Sequence, residues 1–192
     1  MIATLDPIWS EALQRRVYRA LLMVHGFPGD LQELSGLSNG STAALAVLAT
    51  LLDGSTTWAD ADGVIGSADR VLLSARQVAE NEADFVVARG ENSPRSDFRP
   101  RQGELLHPER AATVILVSNR SLLAEEGGVE LELSGPGIPG TRRTRWGGVD
   151  ARWFAKHAEW NQAFPLGVDL ILADRARIAA LPRTTRVRVC GS

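Results

Sequence analysis

The chain has 192 residues, the length of one domain, with 44% apolar and 23% charged residues, a balance that supports a sizeable core. Its formal charge of −2 argues against a dedicated nucleic-acid binder, and a single cysteine, Cys190, excludes an internal disulfide and any cysteine-built zinc or iron–sulfur site. Arginine outnumbers lysine 20 to one (Lys156), a bias toward two-pronged contact with phosphate or carboxylate that genomic base composition would also produce.

In chain order, Asp6-Pro7 offers a helix start, with Ser10-Glu11 as a later one. Ile8, Leu13, Val17, Leu21 and Val24 recur at helical spacing, which predicts one amphipathic helix to about Met23, with Arg15, Arg16 and Arg19 on its solvated side. No charged segment precedes an apolar one here, so no signal peptide is expected. Asn39-Gly40-Ser41 opens a second helix, apolar all round and therefore buried. Its Thr42–Leu52 core, 11 residues, is the longest apolar segment, well short of the roughly 20 needed to span a bilayer. A soluble, cytoplasmic protein with no membrane and no nucleic-acid partner is expected.

Thr56–Trp58 reads as a short strand, and Ala68 to about Val78 as a third helix capped by Ser67, with Val71, Leu72, Ala75 and Val78 inward. Asp84–Ala88 is a strand. Residues 90–110 carry three prolines and four arginines and read as a long loop, either functional or mobile. Thr113–Val117 is a buried-type strand, and Val129–Leu133 alternates as a strand with one wet face. Ser134–Ile138 reads as a tight turn more readily than as an anion nest, and Arg142-Arg143-x-Arg145 as a charge run in water. Asp150 starts a fourth helix with Trp153, His157, Trp160 and Phe164 on one face and Arg152, Lys156 and Glu159 on the other. In that aromatic stripe His157 is expected as a hydrogen-bonded core residue.

The last segment is the most structured. Val168–Leu172 reads as a strand buried on both faces, Asp174–Arg177 as a turn, and Ile178 to Val189 as the returning arm of a long hairpin, with Pro182 at a bulge. The fold class is thus α/β: a single domain over residues 1–192, with a mixed β-sheet flanked by helices and a C-terminal antiparallel hairpin. Asp169 sits inside that hairpin. A buried carboxylate needs a partner. A regular register places Pro182 opposite it and Thr184 diagonal, whereas the expected bulge brings in Arg183. Asp169, Arg183 and Thr184 are then either a structural ion pair with its neighbour or the lining of an anion pocket.

Other chemistry is not indicated. His25, His107 and His157 show no metal-ligand spacing, and neither a nucleophile elbow nor a phosphate-binding glycine loop is present. Pyridoxal phosphate would need Lys156, which falls on a charged helix face beside Glu159. No catalytic residue, metal site, iron–sulfur cluster or pyridoxal phosphate is expected in this chain.

The run from Phe164 to Leu172 with Pro182-Arg183-Thr184-Thr185 to Cys190 resembles the PhnH family, subunits of the bacterial carbon–phosphorus lyase system. Tyr18–Leu22 through Pro28-Gly29, then Gly103, Pro108-Glu109 and Ala112-Thr113, and Leu133-Ser134-Gly135-Pro136-Gly137-Ile138 agree with the family's pattern. Tyr18 replaces its usual Phe, Glu104 replaces Thr, and the 174–177 turn lacks its Gly. The resemblance implies a fold similar to pyridoxal-phosphate-dependent transferases without the cofactor, and a homodimer. It implies a core complex with PhnG, PhnI and PhnJ. With PhnL, PhnG and PhnI, the family supports displacement of adenine from ATP by a phosphonate, giving a ribose 1-phosphonate 5-triphosphate. PhnJ then cleaves the carbon–phosphorus bond at its iron–sulfur cluster. Two roles follow as expectations. The chain is a docking subunit, with aromatics of the 153–164 helix and the terminal strand as contacts, or it binds ATP or phosphonate through Asp169, Arg183 and Thr184.

Overall fold

The computed structural model describes residues 6–38, 40–124 and 127–190. Asp6 accepts a hydrogen bond from the Ile8 amide and begins a single 3-10 turn, Pro7–Trp9. Ser10 then caps the first helix, α1 (Glu11–Gly26), by accepting from the Leu13 amide. The later of the two expected starts is the one used, and the helix continues past Met23 to Gly26. Leu13, Val17, Leu21 and Val24 form its buried stripe.

After a short edge strand, β1 (Gln32–Glu33), comes α2 (Ala43–Leu51), capped by Thr42. Asn39, part of its expected start, lies outside the described residues. Ala43 to Leu48 are all buried, as an apolar helix without a polar face requires. Then follow β2 (Thr57–Asp60), α3 (Ser67–Leu72), β3 (Arg76–Gln77), β4 (Phe85–Arg89), β5 (Thr113–Val117), β6 (Val129–Gly135), β7 (Ile138–Trp146), α4 (Ala151–Trp160), β8 (Asp169–Ala173), β9 (Arg177–Leu181) and β10 (Arg186–Val189).

Several expectations change. The third helix stops at Leu72, and its supposed inner residue Val71 is 83% exposed. So short a helix has little cooperative stability of its own, and the following residues instead pair in parallel along β2, with the Val78 amide bonding to Trp58 O. The Arg142–Arg145 run is exposed, as a charge run in water should be, but it lies on a strand, β7, its guanidinium groups answering Glu130, Glu132 and Asp30. Phe164 lies beyond the end of α4 and is largely exposed. Residues 90–110 are fastened down, with Phe98 buried edge-on against Trp153 at 5.1 Å and Arg95 bonded to Glu80.

The strands form two sheets. The larger has the order β1-β9-β8-β5-β4-β2-β3, parallel from β3 through β8 and antiparallel at β9 and β1. The smaller is antiparallel, β10-β6-β7. The expected C-terminal hairpin exists as β8–β9 but ends at Leu181. Pro182 has no amide hydrogen with which to continue the ladder, the chain turns through a Thr185 N to Pro182 O bond, and Arg186–Val189 cross to pair with β6.

Alternation along the strands builds three layers. Val87, Ile115 and Ile171 face α1 and α2, while Val86, Val114, Leu170 and Leu172 face α4 and the small sheet, meeting Leu131, Leu133, Trp146 and Phe154. Each fully buried aliphatic or aromatic side chain contributes roughly 1.5–3 kcal/mol.

Candidate functional site

The parallel strands give the sheet two chemically distinct ends. At the amino end, Asp169 opens β8. Its Oδ1 accepts from the Arg183 amide at 2.7 Å, and its carboxylate takes the Arg183 guanidinium through Nε at 3.2 and 3.3 Å and Nη2 at 2.5 Å. The remaining nitrogen, Nη1, donates to Pro108 O at 2.8 Å. The β8–β9 register is regular, Leu170 opposite Leu181, so no bulge is formed. Arg183 reaches Asp169 because the turn after Pro182 folds it back. Thr184 is exposed, its carbonyl against Gly135, and it makes no side-chain hydrogen bond to either partner. Asp169 and Arg183 are therefore brought together and Thr184 is not.

A second pair repeats the arrangement beside it. Asp84, just before β4, accepts from the amide and hydroxyl of Thr57 and binds Arg101. Burial alone would raise the Asp84 pKa, but the Thr57 bonds and the Arg101 guanidinium outweigh it and hold the carboxyl below its usual value. Arg101 also donates to the carbonyl of Arg110. Two aspartates at strand starts thus hold two arginines that grip the Pro108–Arg110 turn, which closes the amino end.

His157 lies behind this end, fully buried, with Nε2 donating to Leu181 O at 3.0 Å and Nδ1 without a partner. Burial pushes its pKa from 6.5 down to about 4, so the ring is neutral at pH 7. It is the hydrogen-bonded core histidine expected from its place in the stripe. Trp153 and Trp160 are buried as well, which removes them as contacts for a partner. Lys156 pairs with Glu159 at 2.8 Å.

The carboxyl end is open. A groove of about 960 Å³ lies there, lined by the segments that follow β4, β5 and β7 and by the start of β9. Gly147 and Gly148 supply bare backbone: a Cβ at Gly148, whose φ is +68°, would fall 2.2 Å from Ser118 Oγ, and one at Gly147 2.6 Å from Ser121 O. Asp174, 3% exposed, accepts from three backbone amides, those of Leu122, Ala176 and Arg177, at 2.7–2.9 Å. Glu91 accepts from Asn119 N and Ser118 Oγ, and Asp150 caps α4 through Arg152 N and takes Ser93 Oγ. Arg120 and Arg177 also line the groove.

None of these groove residues was singled out from the sequence as a site. The usable signal was positional: open parallel sheets bind ligands beyond the carboxyl ends of their strands. Gly147-Gly148 running into the Asp150 cap mark such a crossing. Among the described residues no group of three or more His, Cys, Asp or Glu could hold a metal ion, and no helix is long and apolar enough to cross a membrane.

Fold and site together define a three-layer α/β protein, closed by ion pairs at one end of a mixed sheet and grooved at the other. The chain belongs to the PhnH family: the family described as "Bacterial phosphonate metabolism protein (PhnH)" matches residues 8–188. It is also 36% identical over 185 residues to the "Putative C-P lyase subunit protein HtxG" of Stutzerimonas stutzeri, covering 96% of this chain and 91% of that one.

Proposed function

We propose that this protein is a non-catalytic subunit of the carbon–phosphorus lyase machinery, acting by assembly. In this reading it forms a homodimer, joins PhnG, PhnI and PhnJ, and supports conversion of ATP and an alkylphosphonate to ribose 1-phosphonate 5-triphosphate. The observation that carries the reading is the family match across nearly the whole described chain, together with a similar-length relative named as a lyase subunit. Exposed apolar side chains on α1 and at its C-cap, Tyr18, Leu22, Met23 and Phe27, supply surface for docking. The reading includes function without pyridoxal phosphate, metal or cluster in this chain, on an architecture akin to the cofactor-dependent transferases. It is supported by the engagement of its one lysine, Lys156, with Glu159.

Direct binding of triphosphate or phosphonate by Asp169, Arg183 and Thr184 fits the geometry less well. Every guanidinium nitrogen of Arg183 is already hydrogen-bonded. The test is co-expression with the other core subunits. Co-purification, with transfer activity dependent on this chain, is expected; a chain that elutes alone and whose omission leaves transfer intact would sink the proposal.

A further inference from the structure

The groove at the carboxyl ends of the strands has an imbalance between its acids and its bases. Glu91, Asp150 and Asp174 all accept hydrogen bonds from the protein's own backbone or hydroxyl groups. The guanidinium groups are not similarly used. Arg120 fixes the loop only through its backbone, its carbonyl and amide both bonding to Ser118 Oγ, and among the described residues its exposed side chain has no ion-pair or hydrogen-bond partner. Arg177 has Asp174 at 3.5 Å and Glu33 at 3.9 Å, and its contact with Ser121 Oγ is 3.5 Å long. Because backbone amides satisfy Asp174, its charge does not lock Arg177 in a short two-pronged pair. A lone exposed arginine is ordinary. Two loosely held ones on one groove, beside the Ser121 hydroxyl, whose oxygen accepts from the Leu123 amide and whose proton is left to donate, and a glycine floor that side chains cannot fill, form a recognisable anion cradle.

We propose that this groove binds a tetrahedral phosphorus oxyanion, with Arg120 and Arg177 as its cationic contacts and Ser121 Oγ as a neutral donor. The size, near the top of the roughly 300–1,000 Å³ typical of small-molecule sites, admits either of two carriers of that group: a free alkylphosphonate or the phosphoryl tail of a nucleotide. The choice of phosphorus over a carboxylate rests on the phosphonate-metabolism reading above.

The test is calorimetric titration of the full chain with methylphosphonate, ATP, inorganic phosphate and acetate at low salt. Saturable binding of methylphosphonate or ATP is expected, and the stronger of the two identifies the carrier. Arg120→Ala should weaken it by about tenfold, the value of one charge-assisted contact, and Arg177→Ala by at least as much. Arg188→Ala, which removes a guanidinium paired with Glu132 on the small sheet, should leave it unchanged. The inference fails if neither methylphosphonate nor ATP saturates below about 10 mM. It fails equally if acetate binds as well as they do, or if Arg120→Ala binds like the parent protein. Arg120 is exposed, so its variant folds even if the Arg177 variant does not. A chain that co-purifies with the lyase subunits but binds none of the ligands overturns this inference and leaves the assembly reading standing; binding without co-purification does the reverse.

Discussion

Asp169 and Asp174 bracket the same strand, and the chain satisfies them by different means. Asp169 is closed by a guanidinium, with Arg183 at 2.5 Å, whereas Asp174 is closed by three amides and leaves Arg177 at 3.5 Å. The first arrangement consumes a cation and holds two chain segments together. The second organises a turn and keeps its neighbouring cation available. A buried carboxylate alone does not mark a functional site; what it accepts from decides whether charge remains for a ligand.

That contrast predicts stability effects at one end and binding effects at the other. Asp169→Ala leaves the Arg183 guanidinium without its carboxylate and should cost about 4 kcal/mol in urea denaturation, with Asp169→Ala plus Arg183→Leu recovering part of it. If Asp169→Ala instead folds normally and abolishes nucleotide binding, the roles of the two ends are reversed.

The neighbouring His157 should give the next largest effect. Its folded pKa is depressed to about 4 from 6.5, so the unfolded chain takes up the proton first as pH falls. Its contribution is intact above pH 6.5, is lost progressively between 6.5 and 4, and reaches about 3 kcal/mol. His157→Gln should flatten that slope, and an unchanged pH profile would count against the buried neutral ring.

At the open end, Gly148→Ala should cost about 2 kcal/mol, because its backbone is left-handed and the new Cβ would meet Ser118 Oγ. Arg120→Ala should change stability by less than about 0.5 kcal/mol, as thermal melts would show. A large loss there would mean that Arg120 is structural.

Much of this frame was legible in the residues. β5, β8 and the buried α2 followed from apolar runs and caps, because burial on both faces leaves little choice of partner. The Asp169–Arg183 contact was also legible, since a carboxylate in an apolar strand demands a cation. Its route was not: a proline that ends one ladder and a turn into another sheet produce the same short distance as a bulge. α3 was overestimated because Val71 and Val78 keep helical spacing whether or not they are inside. β7 escaped notice because its buried ends, Ile138 and Trp146, flank a stretch of exposed arginines whose partners, Glu130 and Glu132, lie on the adjacent strand. The groove was hidden for a similar reason: Glu91, Arg120 and Arg177 are scattered along the chain and meet only through sheet topology.

The late departure of the chain from the large sheet also bears on biogenesis. β8 must slot between β5 and β9, and β10 must cover the flank of β6, so the large sheet reaches its final strand count only at Leu181 and the small one only at Val189. A nascent chain stalled near Pro182 would hold the β6–β7 hairpin with one backbone edge waiting, and ribosome-bound intermediates of that length should be the ones that recruit chaperones.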